Sequence, residues 1–505
     1  MPEDRDAGAG PVVRTRSGPV RGRAGEGVEA FLGLPYAAPP VGKLRWRPPQ
    51  RVKSWRGVRD ATAFGARAAA AESSNGPRSE AEDCLFLNVW RPEGAEDGAK
   101  LPVYVFIHGG GLMNGSSDQC DMTQFVARTG VVGVSLNYRL GVLGFLAHPA
   151  LTAESGESGN WGLMDQQAAL RWVRDNIGAF GGDPKRVTVG GESAGGWSVC
   201  AHLVAPGSEG LFSGAMVQSG SAASLPLQDA EALGLGIAEA LGCAGPDALA
   251  RLRALPVARL IDLPYPGEVP HPVHFTPFLP SPIQEAIRAG AFQRVPVVIG
   301  ATRDEGRTFM NESAGWTEAE YAAWVRDWFG GKAERVLAEY SWPADGGEFT
   351  GAYLAGEVVT DSGAFDGIGG CGNLRLTREM AQHTQVWAYE FAHRTGPGLT
   401  PEPMGFEWGA GHAAELAYLF PSFDNGTPIA PRFGEAERRL SREMTARWGA
   451  FVARGAPEAE GLAAWPAFNE GGQVLSLRGK GSMLVPEAEI ARQHRWAFWE
   501  GLGAA

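Results

Sequence analysis

Short apolar runs of strand length recur along the chain: CLFLNVW (84–90), LPVYVFIHG (101–109), VVGVSLNYR (131–139), RVTVGG (186–191), GAMVQSG (214–220), VPVVIGAT (295–302), QVWAYEF (385–391) and QVLSLRG (473–479). Their apolar positions are mostly continuous rather than alternating, the pattern of strands buried on both faces. Helical periodicity lies between several of them. MDQQAALRWVRDNI (164–177) sets Ala168, Leu170, Trp172 and Val173 near one face, and AERRLSREMTARWGAFVARG (436–455) is a second amphipathic stretch. Strands alternating with helices predict an α/β fold with a mostly parallel central sheet flanked by helices. Ahead of it, residues 11–36 alternate apolar and polar around glycine turns, which predicts a small antiparallel unit. Residues 1–10 read as a disordered tail and 65–82 as a surface loop or short helix. Residues 222–294 and 306–370 are poor in strand runs and read as large helical and loop insertions. With no Gly/Ser or Pro linker to divide it, 11–500 reads as one domain.

Composition narrows the function classes. A formal net charge of -12 argues against a nucleic-acid partner. The first ten residues carry no apolar core of a secretory leader, and no apolar run reaches the roughly 18 residues of a membrane span. Cys84, Cys120, Cys200, Cys243 and Cys371 are scattered, without a CxxC pair or metal-ligand spacing. That usage predicts reduced thiols, a cytoplasmic location, and no metal or organic cofactor.

The chemistry is concentrated in a few segments. Gly191-Glu192-Ser193-Ala194-Gly195 is a G-x-S-x-G sequence with a β-branched run ahead of it and a helix-compatible run after it. That is the strand–turn–helix in which Ser193 would be a nucleophile on a sharp turn. His108-Gly109-Gly110-Gly111 closes an earlier strand, and consecutive glycines expose backbone N–H groups that an oxyanion needs, the N–H of Ala194 adding another. The absence of a following Gly-Lys-Ser/Thr argues against a phosphate loop. A serine hydroxyl needs a base. Among the histidines after Ser193, His202 lies on the following helix, His383 in a helical pattern and His393 after a strand. His412 sits on a loop freed by Gly409 and Gly411 and is favoured. The acid should follow a strand, and Asp304 and Glu305 both follow VPVVIGAT. The pattern does not separate them.

Together the segments resemble the type-B carboxylesterases, similar to bacterial para-nitrobenzyl esterases and more distantly to cholinesterases. The resemblance runs through FLGLPYAAPPVGKLRWRPPQ (31–50), EDCLFLNVW (82–90), HGGG (108–111), NYRLGVLGF (137–145), residues 159–196, QSGS (218–221), GATRDEG (300–306) and GHAAELAYLF (411–420). It implies an α/β-hydrolase fold and a serine carboxylesterase acting on small-molecule esters through an acyl-enzyme intermediate. It implies Glu305 as the acid, His412 as the base, and Gly110 and Gly111 beside Ala194 as the oxyanion hole. Glu192 and Ser219 match positions of a polar network behind the family's histidine. No nucleic-acid or membrane partner is implied, and the assembly is left open between monomer and small homo-oligomer.

The chain also departs from the family. Cys84 lacks its upstream disulfide partner, and Arg251 stands near where a partner for Cys243 would be. Leu112 replaces an aromatic residue after the glycines. The triple glycine resembles that of esterases accepting tertiary alcohols. Gly367 to Gly372 matches G-x-G-x-x-G but follows no strand, which argues against a dinucleotide site. His271 and His274 lack further metal ligands.

Overall fold

The computed structural model describes residues 10–503 except 267, 268, 364, 401 and 402. The tail expected over 1–10 therefore lies, apart from Gly10, outside the described residues. The chain divides into two compact units: Met1–Met216, Ala223–Pro296 and Thr445–Glu460 in one, Val217–Ala222, Val297–Met444 and Gly461–Ala505 in the other.

In the first unit the apolar runs become β1 (Arg23–Gly25), β2 (Val28–Pro35), β3 (Phe86–Pro92), β4 (Leu101–Ile107), β5 (Val132–Leu136), β6 (Gly182–Glu192) and the start of β7 (Gly214–Gln218), whose last two residues are counted with the second unit, in spatial order β7-β6-β4-β5-β3-β2-β1. β4 runs parallel to both β5 and β6, with Val105 opposite Val134 and Val189. β5 pairs antiparallel with β3, β3 with β2, and β2 with β1. The expected antiparallel start is thus present, joined by a further antiparallel pair, Val12–Arg14 with Pro19–Arg21. Every residue of β5, and all of β4 after Leu101, is buried. That is why these runs show no polar alternation. Helix α1 (Trp161–Asn176) buries Leu163, Leu170, Trp172 and Val173. A bidentate buried ion pair, Arg139 to Asp165 at 2.7 Å through each of two nitrogens, fixes α1 to the chain beyond β5. Residues 65–82 form no helix; bridges Ala70–Ser79 and Ser73–Gly76 fold them into a hairpin-like loop. Residues 222–294 are mainly short helices, as the insertion reading expected.

In the second unit β8 (Val297–Thr302), β9 (Val386–Phe391) and β10 (Gln473–Leu477) are parallel, and β11 (Met483–Pro486) closes antiparallel on β10. β8 and β9 are buried throughout. Helix α2 of the first unit is Ala194–Val204, and the second unit contributes α3 (Thr350–Ser362) and α4 (Gly370–Ala381). Among the described residues no strand falls between 306 and 370. The periodicity at 436–455 is a helix over Glu435–Arg454. His383, expected inside a helix, instead lies two residues past the end of α4 at Ala381, in the turn whose N–H groups at His383 and Thr384 both donate to the Met380 carbonyl. Buried aromatics Tyr321, Tyr340 and Trp499 centre an apolar core here.

Candidate active site

Ser193 is the single residue between β6 and α2, with φ 56° and ψ -126°. This is a strained backbone for a residue with a Cβ. The turn closes because its flanking glycines leave room. A Cβ on Gly191 would lie 2.4 Å from the carbonyl carbon of Gly195, and one on Gly195 would lie 2.0 Å from the Ile107 oxygen. Both obstacles are backbone, so neither can rotate aside. Ala194 opens α2, and its N–H lies among those left without a partner in a helix's first turn.

The glycine loop lies against this elbow. A Cβ on Gly109 would come 2.9 Å from that of Ser193. Gly110 (φ 102°) and Gly111 (φ 61°) adopt left-handed backbone, and the N–H groups of Met113 and Asn114 both donate to the Gly110 carbonyl at 3.0 Å. His108 braces the loop. Its Nδ1 donates to the Gly109 carbonyl at 2.8 Å and its ring stacks on Tyr138 at 4.5 Å. Burial lowers its pKa to about 4, so it is neutral. Leu112 is fully buried, as is Glu192 at the end of β6 to within a few per cent.

The acid and base candidates meet in the second unit. His412 Nδ1 donates to Glu305 Oε2 at 2.5 Å, while Glu305 Oε1 accepts from the Thr302 N–H at 2.8 Å. Glu305 is wholly buried. Asp304 does something else: its Oδ2 accepts from Arg394 Nε and from the Ala410 N–H, each at 2.9 Å. The adjacent carboxylates left open by the sequence thus part company. One faces the imidazole, and the other ties down the loop that carries it. Thr308 Oγ1 holds the His412 carbonyl at 3.2 Å, the Phe309 ring lies 4.7 Å from the imidazole, and Ala413 follows with φ 66°. Ser219, buried at φ 46°, donates its N–H to the Gly300 carbonyl at 2.8 Å, and its Oγ has no hydrogen-bond partner.

Glu415 was not anticipated. It is fully buried, with Gln218 Nε2 3.3 Å from its Oε1. Burial raises its pKa to about 7, and the nearby Glu305 charge adds to the rise. The available signal was a lone carboxylate three residues after His412 within the apolar run AAELAYLF.

Comparison with known proteins settles the family. The Carboxylesterase family model matches residues 9–499. The chain belongs to the carboxylesterase family. A fumonisin B1 esterase of Sphingopyxis macrogoltabida is 37% identical, over 92% of this chain and 86% of that relative. A human cocaine esterase is 33% identical over 97% and 91%. Among solved structures, a Geobacillus stearothermophilus carboxylesterase superposes with TM-score 0.81 at 33% identity, covering 97% of this chain and 99% of that one. A PNB esterase gives 0.80 at 30%, covering 96% and 100%. This carboxylesterase is a carboxylic ester hydrolase with an α/β-hydrolase fold.

Most other histidines of the carboxylesterase have visible structural partners. His202, whose pKa burial lowers to about 3, contacts Ser208 Oγ and Gln166 Oε1 at 2.9 and 3.0 Å. His271 meets Trp197 edge-on at 4.9 Å, and His274 contacts Ser224 Oγ at 3.0 Å. His393 contacts Glu437 at 2.7 Å. All five cysteines are buried and unpaired. The glycines from 367 to 372 lead into α4 without a preceding strand. Among the described residues no cluster suited to a metal occurs, and no helix is long and apolar enough to cross a membrane.

Proposed function

We propose that this carboxylesterase cleaves esters by two-step acyl transfer through Ser193, His412 and Glu305. His412 takes the Ser193 proton as Oγ attacks the ester carbonyl. The resulting oxyanion is held by the N–H groups of Gly110, Gly111 and Ala194. His412 returns the proton to the leaving alcohol, and water then releases the acid by the reverse roles. Glu305 keeps the imidazole proton on Nδ1, leaving Nε2 free to act as base. The observation that carries the reading is the 2.5 Å hydrogen bond from His412 Nδ1 to a carboxylate with no exposure to solvent. The strained backbone at Ser193, with the glycine loop against it, supports the nucleophile. Glu192 and Ser219 serve as polar support around the base, and no metal or organic cofactor enters any step.

The test is Ser193→Ala. Hydrolysis of p-nitrophenyl acetate should fall by several orders of magnitude, and fluorophosphonate labelling of the parent should map to Ser193. Parent-level turnover in the variant would overturn the assignment.

The substrate is a small-molecule carboxylic ester. The triple glycine Gly109-Gly110-Gly111 resembles that of esterases accepting tertiary alcohols, and the proposed range includes such esters. A panel varying acyl and alcohol parts independently, with fumonisin B1, cocaine and tert-butyl acetate among its members, tests this; failure to turn over tert-butyl acetate would count against it. The reading treats 11–500 as one catalytic domain. Five unpaired cysteines support a reducing, cytoplasmic setting, which cell fractionation would check.

A further inference from the structure

Within the second unit, a cavity of about 170 Å³ opens beside the Arg303-Asp304 turn. Four arginines line it, Arg303, Arg307, Arg394 and Arg495, together with His494. The volume far exceeds the roughly 10–15 Å³ that one water requires. His494 is fully engaged: it lies 2.8 Å from Asp361 Oδ1 and 3.1 Å from Glu390 Oε1. Burial alone would lower its pKa, but those two carboxylates raise it to about 10, so it is a fifth cation at neutral pH.

Three carboxylates share the wall, and each is already answered. Asp304 accepts from Arg394 and from the Ala410 N–H. Asp361 accepts from His494, from Arg495 Nη1 at 2.8 Å and from the Tyr340 hydroxyl at 2.8 Å. Glu357 Oε2 lies 3.4 Å from Arg495 Nη2. Arg495 is answered as well, its Nε lying 3.4 Å from Glu339 Oε1, but Arg307 is not. Arg307, 7% exposed, gives Nη1 to the Glu407 carbonyl, yet its Nε is buried with no hydrogen-bond partner. Asp304 comes no nearer than 4.0 Å in their ion pair. A buried charged donor left unmatched is costly unless a ligand or solvent completes it.

We propose that this cavity is a binding site for a small oxyanion, a carboxylate or phosphate group held in the fork of Arg303 and Arg307. Planar guanidinium pairs match the spacing of such oxygens. The proposal does not depend on the catalytic reading. The cavity does border the segment carrying the proposed base, because Asp304 on its wall also holds Ala410, two positions before His412.

Isothermal titration of the full chain with inorganic phosphate and, separately, with malonate tests the proposal, at constant ionic strength set with chloride. One-to-one saturable binding of either anion is expected, with a rise in melting temperature. Phosphate alone, malonate alone, or both would support the site and identify which oxyanion source it accepts. Arg303→Gln should weaken binding about tenfold, by loss of one charge-assisted contact. Arg303→Lys, which keeps the charge and lacks the fork, should fall between, and it serves if Arg303→Gln melts too low to titrate. Arg335→Gln, on an exposed position elsewhere, should bind as the parent does. Absence of saturation with both anions, or equal binding by parent and the two Arg303 variants, would overturn the proposal.

Discussion

Asp304 and Glu305 are neighbours in sequence with opposite expected sensitivities to removal of charge. Glu305 offers one oxygen to the Thr302 N–H and the other to His412 Nδ1. In Glu305→Gln only one of those atoms remains an acceptor. If the amide oxygen keeps Thr302, the NH2 faces His412, and the ring must carry its proton on Nε2 to accept from it. That tautomer cannot take a proton from Ser193. If the amide oxygen keeps His412, two donors face each other at Thr302 in a buried site. Loss of the tautomer and of imidazolium stabilisation together is expected to lower kcat by about 10³–10⁴-fold, equivalent to roughly 4–5.5 kcal/mol. In Asp304→Asn, a single amide oxygen can still accept from both Arg394 and Ala410. What is lost is charge attraction to Arg394, whose side chain is 43% exposed and screened by solvent, and the longer 4.0 Å attraction to the buried Arg307, a loss of about 1–3 kcal/mol that falls on stability rather than on the imidazole. Activity should stay within a few-fold. Steady-state kinetics on p-nitrophenyl acetate, with thermal melts showing that both variants fold, make the comparison. If Glu305→Gln retained activity within tenfold of the parent, or if Asp304→Asn were equally damaging, the assigned roles of the two carboxylates would be wrong.

Gly195→Ala drives a Cβ to 2.0 Å from the Ile107 carbonyl oxygen. It should destabilise by about 3 kcal/mol or more, seen as insoluble protein or a sharply lowered melting temperature, and a parent-like melt would refute the packing argument. His494→Ala leaves Asp361 and Glu390 buried without their shared cation, and should destabilise by about 3–5 kcal/mol at neutral pH. The folded pKa of His494, about 10, lies above the ordinary histidine value of 6.5. Its contribution is therefore fully present below pH 6.5 and lost as pH rises through about 10. Urea midpoints across that range should slope down in the parent and less in the variant. For Glu415 the folded value, about 7, lies above the ordinary glutamate value of 4.5, so stability tied to its protonated form is present below pH 4.5 and lost as pH rises through about 7. Glu415→Gln should flatten that slope and gain roughly 1–3 kcal/mol on the parent at pH 8 relative to pH 4.5; parallel curves would count against it.

The strands and the elbow were legible in the chain itself. Runs such as LPVYVFI and VPVVIGA exclude polar residues because both faces of β4 and β8 are covered, and G-x-S-x-G declares its turn because two of its positions admit no Cβ. Those are local constraints, set by burial period and by backbone closure, and sequence records them directly. The partition of labour between Asp304 and Glu305 was left open by the residues, and resemblance to a family chose Glu305. Folding brings Glu305 to His412, 107 positions away, and gives Asp304 other partners. Glu415, the Asp361–His494–Glu390 cluster and the arginine-lined cavity left little or no mark, since each gathers charged residues from distant segments. An isolated carboxylate or guanidinium in a sequence reads as a solvated surface group. Its desolvation, its partners and its altered pKa exist only once folding has withdrawn it from water beside particular neighbours, and so only the tertiary structure could decide them.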